Sequence, residues 1–453
     1  MVFGMTTTTS KELEAKKPGL EALRLHPFYR GKIEVVPKCF IRGFEDFAVW
    51  YTPGVAEPCK VIHRRKEAVY EYTNKWNSVA VVSDGSRVLG LGDIGPEAGL
   101  PVMEGKALLF KYLGGVDAYP ICLDTKNPDE IITAVKWIKP SFGGVNLEDL
   151  ATPKCFYILD RLRRELDIPV WHDDQQGTAT IVLAGLINSL KLVGKKLGEV
   201  VVTLVGAGAA NIAIARILSA AGFEKGNLIL VDSKGILNQS RKDLWEGRFE
   251  NPYKWELCLT TNAEQREGGI VEALNGVDVV VAASRPGPGV IPPEAVRSMA
   301  DDPIVFATAN PVPEIWPWEA KEAGAKIVAT GRSDFPNQIN NSLGFPGIFR
   351  GVLDVMAKTI TDEMCIAAAY ELAKAAEEKG LSEEYVVPTM DDWEVFPREA
   401  AAVGVKAIEQ GVARRKITRK KLFETSMELI SRARRETEQL MRSNIIKKPV
   451  PTS

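Results

Sequence analysis

The chain has 453 residues, of which 45% are hydrophobic and 26% charged, the balance of a soluble globular protein with roughly two to three domains. Its formal net charge of −2 provides no broad basic field, which argues against nucleic acid as a partner. Residues 1–19 lack the apolar core of a signal peptide, and no uncharged apolar stretch reaches the roughly 18–20 residues that span a bilayer, so we expect a cytoplasmic protein without a membrane partner.

The first part of the chain is predicted to be a tail followed by a mixed domain. Residues 1–19 are rich in threonine and lysine and are predicted to form a disordered or frayed tail. Residues 20–165 mix short strands, at 79–82 and 118–122, with helices such as the one that begins at Lys106. This pattern indicates an N-terminal mixed α/β domain.

From residue 166 onward, short β-branched apolar strands alternate with helices, which predicts a doubly wound parallel sheet of Rossmann type over 166–345. The run 168–171 is interpreted as a buried strand that delivers acids to its carboxyl end, where open α/β sheets bind ligands. Residues 346–453 are predicted to form a C-terminal helical segment that packs back on both domains. Further strands are predicted at 201–205, 228–232, 277–283, 304–307 and 326–329.

A glycine-rich turn follows the strand at 201–205 and opens a helix. It matches the G-x-G-x-x-G dinucleotide fingerprint at Gly206 and Gly208 but carries Asn211 at the third glycine position. Asp232, at the end of the next strand, would bond the ribose hydroxyls of NAD, whereas Ser233 and Lys234 could contact the 2′-phosphate of NADP. Both cofactors therefore stay open, and a plain strand–helix turn is the alternative. The candidate cofactor-binding residues are Gly206, Ala207, Gly208, Ala209, Ala210, Asn211, Asp232, Ser233 and Lys234.

Acidic side chains cluster on both sides of one predicted helix. Glu148, Asp149 and Asp174 form a plausible all-oxygen site for Mg²⁺ or Mn²⁺. The alternative is that Asp149 caps the helix near Pro153 and that Asp173 merely ends a strand. The cysteines show no C-x-x-C spacing, and there are only three histidines, so a zinc site or a scheme with several histidines is not indicated.

Two further segments combine a reactive side chain with a rigid turn. Tyr51 precedes a proline–glycine turn, and Lys106 is placed at the start of a helix, beside the expected cation. A lysine in that setting is expected to have a lowered pKa and could serve as a general base. A turn tyrosine and a surface lysine are the alternatives.

Taken together, these segments resemble the malic enzymes of the short bacterial and archaeal type. The resemblance runs in the family's order over about residues 25 to 350, and the helical end is also family-like. The segments that carry it are 29–35, 51–59, 83–93, 105–106, 148–149, 173–179, 205–211, 309–311, 337–341 and 345–347.

The resemblance implies a role for each matching residue. Tyr51 is similar to the family's general acid and Lys106 to its base, while Arg87 corresponds to the arginine that grips a substrate carboxylate. The other implied assignments are Glu148, Asp149 and Asp174 as metal ligands, Asp173 as their outer partner, and Asn310 and Asn341 as the asparagines that hold substrate and nicotinamide.

The reaction implied is the oxidative decarboxylation of malate to pyruvate and CO₂, with reduction of NAD or NADP and with Mg²⁺ or Mn²⁺. The first domain would then be the malic, or substrate, domain, and a homodimer or a higher homo-oligomer is expected. Two alternatives remain: a malolactic conversion of malate to lactate, and a non-catalytic module that binds dinucleotides. Net formation of the reduced cofactor separates these alternatives.

Overall fold

The structure, a computed structural model, describes the backbone of residues 10–450 and the side chains of residues 15–450. One sheet of four parallel strands and one of six mostly parallel strands are covered by helices, and the described part of the chain ends in a helical segment. The predicted α/β class, with its Rossmann-type domain and helical end, is confirmed.

The first sheet has the strand order β2-β1-β3-β4, and all of its strands are parallel. All six residues of β1 are buried, because helices cover both faces of the sheet. The elements of this part are α1 (Ser10–Tyr29), α2 (Asp46–Trp50), α3 (Ala56–Arg64), α4 (Val69–Tyr72), β1 (Ser78–Ser83), α5 (Pro96–Gly114), β2 (Asp117–Cys122), α6 (Pro128–Ile138), β3 (Gly144–Leu147), α7 (Lys154–Glu165) and β4 (Val170–His172).

Two predicted boundaries differ from the structure. Residues 10–19 belong to α1 and are not part of a frayed tail, because the lysines, the glutamates and the one leucine of this segment favour helix. The guanidinium of Arg332 also binds the carbonyl oxygen of Ala15. Residues 1–9 of the predicted tail lie outside the described part. The first sheet continues past residue 165, since β4 pairs with β3.

The second sheet has the order β10-β9-β8-β5-β6-β7, in which only β7 is antiparallel. The strand order reverses between β5 and β8, which is where such sheets form a ligand crevice. All five strands predicted after residue 200 are present. The elements are α8 (Thr178–Leu192), β5 (Val202–Val205), α9 (Ala209–Ala220), β6 (Leu228–Asp232), β7 (Gly235–Ile236), α10 (Lys242–Glu246), α11 (Pro252–Thr260), α12 (Ile270–Leu274), β8 (Val279–Ala282), α13 (Pro293–Arg297), β9 (Ile304–Ala307), α14 (Pro317–Glu322) and β10 (Ile327–Thr330).

The C-terminal helices pack against both domains. One continuous core joins Phe110 of the first domain, Leu186 of the second and Phe349 and Phe396 of the helical end. Nowhere in residues 10–450 is there a helix with the length and apolar character that a bilayer crossing requires. The helices of this end are α15 (Phe345–Asp354), α16 (Asp362–Lys379), α17 (Val395–Glu409) and α18 (Arg419–Arg442).

Residues 39–67, here called the N-terminal arm, leave the body near the amino end of β1. Lys38 Nζ donates to Asn74 Oδ1 at 2.8 Å and lies 5.0 Å from the centre of the Trp76 ring, just before β1 begins. The arm carries exposed apolar side chains, of which Phe44 is 88% exposed. Its base is therefore at the opposite end of the sheet from the carboxyl ends of the strands.

Candidate active site

Acids stand at the carboxyl ends of two neighbouring strands of the first sheet. Glu148 and Asp149 directly follow β3, and Asp174 lies in a π-helical turn, Asp173–Gly177, that directly follows β4. Since β3 and β4 are parallel neighbours, these acids meet at one edge: one carboxylate oxygen from each of Glu148, Asp149 and Asp174 lies within 4.8 Å of the others. The three predicted metal ligands are thus brought together.

The cluster is buried and rich in negative charge. Glu148 is 2% and Asp149 3% exposed, and Asp149 Oδ2 is buried without a hydrogen-bond donor. Burial, reinforced by the neighbouring carboxylates, raises the pKa of both Glu148 and Asp149 well above the ordinary value. Oxygen donors at this spacing, with an orphaned acceptor among them, fit a hard divalent cation.

Lys106 reaches into the same edge from α5. Its Nζ donates to Asn341 Oδ1 at 3.0 Å, lies 3.2 Å from Glu148 Oε1 and forms a short ion pair with Asp173. The Lys106 side chain is 11% exposed, and its ammonium lies 4.7 Å from the centre of the Phe345 ring. The predicted base, the outer partner Asp173 and one predicted asparagine therefore form a single hydrogen-bonded group.

One expectation about the position of Lys106 is wrong. It lies in the middle of α5 rather than at a helix start, because Pro96 occupies the first turn, where proline is well tolerated, and the helix begins there. Burial lowers the pKa of Lys106, but the carboxylates of Asp173 and Glu148 outweigh burial and raise the pKa above the ordinary value. The lowered pKa was expected beside a cation bound to these carboxylates, and it stays a prediction.

The loop after β1 links the acidic edge to the second domain. Arg87 is exposed, and its backbone N–H donates to Asp149 O at 2.9 Å, so the arginine stands beside the acids. Gly90 packs against Pro286 and Asn310 so closely that a Cβ there would overlap the proline and lie 2.7 Å from Asn310 O. This contact places Asn310 across the crevice from the Arg87 loop.

Tyr51 stands apart from this group. It is 71% exposed and lies on the N-terminal arm, whose base is at the amino end of β1. No hydrogen bond among the described residues joins its hydroxyl group to Lys106. Within one chain, therefore, the predicted acid and the predicted base are not brought together.

The glycine-rich turn has the geometry of a phosphate-binding turn. Gly206 has φ of 102°, and a Cβ at this position would lie 2.7 Å from Ala283 O, so only glycine fits. Gly208 precedes α9, whose first N–H groups carry no side-chain cap and could bind a pyrophosphate. Asn211 does not weaken the turn, because its amide nitrogen donates to Val205 O at 2.7 Å and to Gly206 O at 2.8 Å.

Asp232 stands at the end of β6, beside this turn, in a network of ions. Its carboxylate accepts from Lys234 N at 2.8 Å, from Arg241 Nη1 at 2.7 Å and Nη2 at 3.1 Å, and from Lys254 Nζ. Arg241 and Lys234 also bind Asp243, at 2.8 and 3.0 Å. Ser233 is exposed at the rim.

Comparison with known families agrees with this geometry. The model of the malic enzyme N-terminal domain matches residues 30–129 and 125–163, and that of the malic enzyme NAD binding domain matches residues 175–409. The chain belongs to the malic enzyme family.

Several curated relatives match over most of their length. The bifunctional malic/malolactic enzyme of Bacillus subtilis is 51% identical over 87% of this chain and 94% of its own. The NAD-dependent malic enzyme of Geobacillus stearothermophilus is 51% identical over 85% and 78%, and the NADP-dependent malic enzyme of Halomonas elongata is 43% identical over 82% and 88%. Among solved structures, the malic enzyme of Entamoeba histolytica superposes with a TM-score of 0.95 at 47% identity, covering 99% of this chain and 93% of that one.

The structure adds residues that the sequence analysis did not single out. Trp171 Nε1 donates to Asp173 Oδ1 at 3.0 Å. The two residues are two positions apart where β4 ends, and this spacing could have indicated that their side chains lie on the same side. Buried Glu314 accepts from Ser284 N at 2.8 Å and from Ala309 N at 3.0 Å, which fixes the backbone before Asn310. Glu314, Arg241 and Lys254 lie outside the motifs on which the sequence analysis was based.

Proposed function

We propose that the protein catalyses the oxidative decarboxylation of malate to pyruvate and CO₂, with reduction of NAD or NADP. The observation that carries the proposal is the group around Lys106, which joins Asp173, Glu148 and Asn341 beside three convergent carboxylates. Helix α9 of the dinucleotide turn packs on the Asp173–Gly177 turn, so the cofactor and the acids would share one crevice.

Glu148, Asp149 and Asp174 would hold Mg²⁺ or Mn²⁺. When bound, the cation would neutralise these carboxylates, stabilise negative charge on the substrate oxygen and reduce the electrostatic hold on the Lys106 proton. Two observations support this role: Asp149 Oδ2 has no hydrogen-bond donor, and the pKa of Glu148 and Asp149 is raised. Both indicate buried negative charge that a cation would neutralise.

The proton steps belong to residues of the chain. Lys106, once neutral, takes the proton of the C2 hydroxyl while hydride leaves C2 for the dinucleotide, which gives oxaloacetate. Loss of CO₂ leaves the enolate of pyruvate, and Tyr51 donates the proton that C3 needs to give pyruvate; the proton held by Lys106 balances the one that Tyr51 has lost. Arg87 would orient the substrate through a carboxylate, and Asp173 holds Lys106 in line through the ion pair.

The proposed assembly is a homodimer in which Tyr51 enters the site of a second copy. Two observations support it: the N-terminal arm exposes Phe40, Phe44 and Tyr51 together, and its base is at the wrong end of the sheet to serve its own Lys106. Contiguous exposed apolar side chains of this kind are typical of protein–protein interfaces.

A malolactic conversion of malate to lactate is the second candidate. It is favoured by the identity of 51% to a relative named a bifunctional malic/malolactic enzyme. In that reaction the dinucleotide is reduced and reoxidised within one turnover, so no reduced cofactor accumulates.

The test is to mix the protein with malate, Mn²⁺ and either NAD or NADP and to follow absorbance of reduced nicotinamide together with pyruvate and lactate. We expect reduced cofactor and pyruvate to appear in equal amounts, loss of turnover with EDTA and recovery with Mn²⁺ or Mg²⁺. Lactate without reduced cofactor would establish the second candidate instead. Full activity after thorough chelation would remove the metal from the proposal.

A further inference from the structure

The carboxylate of Asp232 has no acceptor position left for a ligand. A carboxylate offers about four lone-pair positions, two on each oxygen. Oδ1 accepts from Lys234 N and Arg241 Nη1, and Oδ2 accepts from Arg241 Nη2 and Lys254 Nζ. A ribose hydroxyl could bind Asp232 only by displacing one of these protein donors.

The same network has an excess of positive charge. The cations of Lys234, Arg241 and Lys254 face the two carboxylates of Asp232 and Asp243. The side chains of Arg241 and Lys254 are only 12% and 21% exposed, which weakens solvent screening of their charge. An added anion would therefore be attracted, and an added neutral hydroxyl would gain little.

The location of the network selects the anion. Gly206 N donates to Val231 O at 2.7 Å, so the phosphate turn directly adjoins the end of β6. In this fold the residue at the end of the second strand faces the 2′ position of the adenosine ribose, where a nearby arginine accommodates a 2′-phosphate. That phosphate carries close to two negative charges at neutral pH.

We propose that Arg241 and Lys254 are specificity-determining residues that bind the 2′-phosphate of NADP, and that Asp232 positions these two cations rather than accepting the ribose hydroxyls of NAD. The inference rests on the dinucleotide binding of the proposed function. It assigns the protein a preference for NADP and gives Asp232 a role opposite to that predicted from the sequence.

The experiment measures binding of two fragments, 2′,5′-ADP and 5′-AMP, by isothermal titration calorimetry without malate or metal. We expect 2′,5′-ADP to bind about tenfold more tightly, because its extra phosphate gains charge-assisted hydrogen bonds. Lys254→Met should remove about tenfold of the 2′,5′-ADP affinity and change 5′-AMP binding less than about twofold. Lys254→Arg should restore the preference.

Lys242→Met is the matched control, because Lys242 adjoins Arg241 in sequence but pairs with Glu246 outside the network. It should leave both affinities unchanged. Asp232→Asn tests the other half of the proposal: 5′-AMP should still bind within about threefold, whereas a loss of about tenfold or more would show that Asp232 accepts the ribose hydroxyls.

Equal binding of the two fragments by the unaltered protein, or an unchanged ratio in Lys254→Met, would overturn the inference. If 2′,5′-ADP is preferred but malate yields no reduced cofactor, the inference stands and the proposed function fails. If malate turnover is normal and Lys254→Met leaves the ratio of the two fragment affinities unchanged, the proposed function stands and the inference fails. Absence of binding by both fragments would overturn the inference, and malate turnover would decide the proposed function separately.

Discussion

The carboxyl edges of the two parallel sheets carry charged clusters that are balanced in opposite ways. At the first sheet, four carboxylates surround the single ammonium of Lys106, and Asp149 Oδ2 has no donor. At the second sheet, three cations surround Asp232 and Asp243, and every acceptor position of Asp232 is filled. The carboxyl edge of the first sheet therefore attracts an added cation and that of the second an added anion, because the local balance of charge decides which ion is bound more favourably.

Removal of Lys106 would break the first cluster most severely. We expect Lys106→Ala to slow hydride transfer from malate by about 10²–10⁴-fold, the usual contribution of a general base. Stopped-flow absorbance of reduced nicotinamide in the first turnover measures this step. Lys111→Ala is the control, because Lys111 lies on the same helix but pairs with Asp117. A fast first turnover in Lys106→Ala would refute the base role.

Tyr51 tests whether the first cluster is complete within one chain. Tyr51→Phe should keep a fast first turnover but slow later ones, about 10²-fold, since protonation of C3 follows hydride transfer. Co-refolding Tyr51→Phe with Lys106→Ala should recover activity if each site takes its tyrosine from a second copy, because one site of the mixed dimer is then intact. No recovery, with mixed dimers shown by mass spectrometry, would place both residues in one chain.

Asp174 sharpens the contrast between the two clusters. Asp174→Asn removes one of three convergent carboxylates and should weaken Mn²⁺ binding at least about tenfold, while binding of 2′,5′-ADP at the other sheet stays unchanged. Titration calorimetry measures both. Asp93→Asn, a change of an exposed acid that pairs with Lys126, serves as the control. Parallel loss of both ligands in Asp174→Asn would indicate misfolding rather than a lost metal ligand.

The Glu399→Gln change has the smallest expected effect. It tests the burial of a carboxyl group that lies outside both charged clusters. Its carboxyl group is fully buried against the start of α15 with no hydrogen-bond partner, and burial raises its pKa well above the ordinary value. The folded pKa exceeds the unfolded one, so its contribution to stability is complete below the unfolded pKa and is lost as pH rises. Glu399→Gln should therefore stabilise the protein at about pH 8, by roughly 1–3 kcal/mol, and have little effect near about pH 4.

Thermal unfolding at both pH values tests this expectation. Glu409→Gln, an exposed change on the same helix, is the control and should show no pH-dependent difference. If Glu399→Gln lowers the unfolding temperature equally at both values, the carboxyl group contributes through shape and not through its proton.

The sequence allowed the fold and most of the first cluster to be predicted, because both depend on local patterns. The apolar run before Asp173 and Asp174 identified a strand and the edge at which it ends, and β4 confirms it. The predicted start of α5 was wrong. Glycines and prolines before Lys106 suggested a loop, but the helix begins at Pro96, because proline is compatible with the first helical turn.

The second cluster was harder to predict, because Arg241 and Lys254 belong to no recognisable motif. Asp232 alone suggests a ribose acceptor, but its role changes once Arg241 and Lys254 occupy its oxygens. The position of Tyr51 could not be predicted either, since an exposed arm looks like any turn-rich segment until the sheet to which it is attached is known. Both cases depend on contacts that no sequence motif marks.

The close approach of Gly90 to Pro286 and Asn310 has a mechanical consequence. The ring of Pro286 and the backbone oxygen of Asn310 leave no room for a side chain on Gly90, and neither can rotate away as the end of a flexible side chain could. A methyl group at position 90 would therefore push the loop after β1 away from this part of the second domain. Glycine at position 90 sets how closely the two can approach.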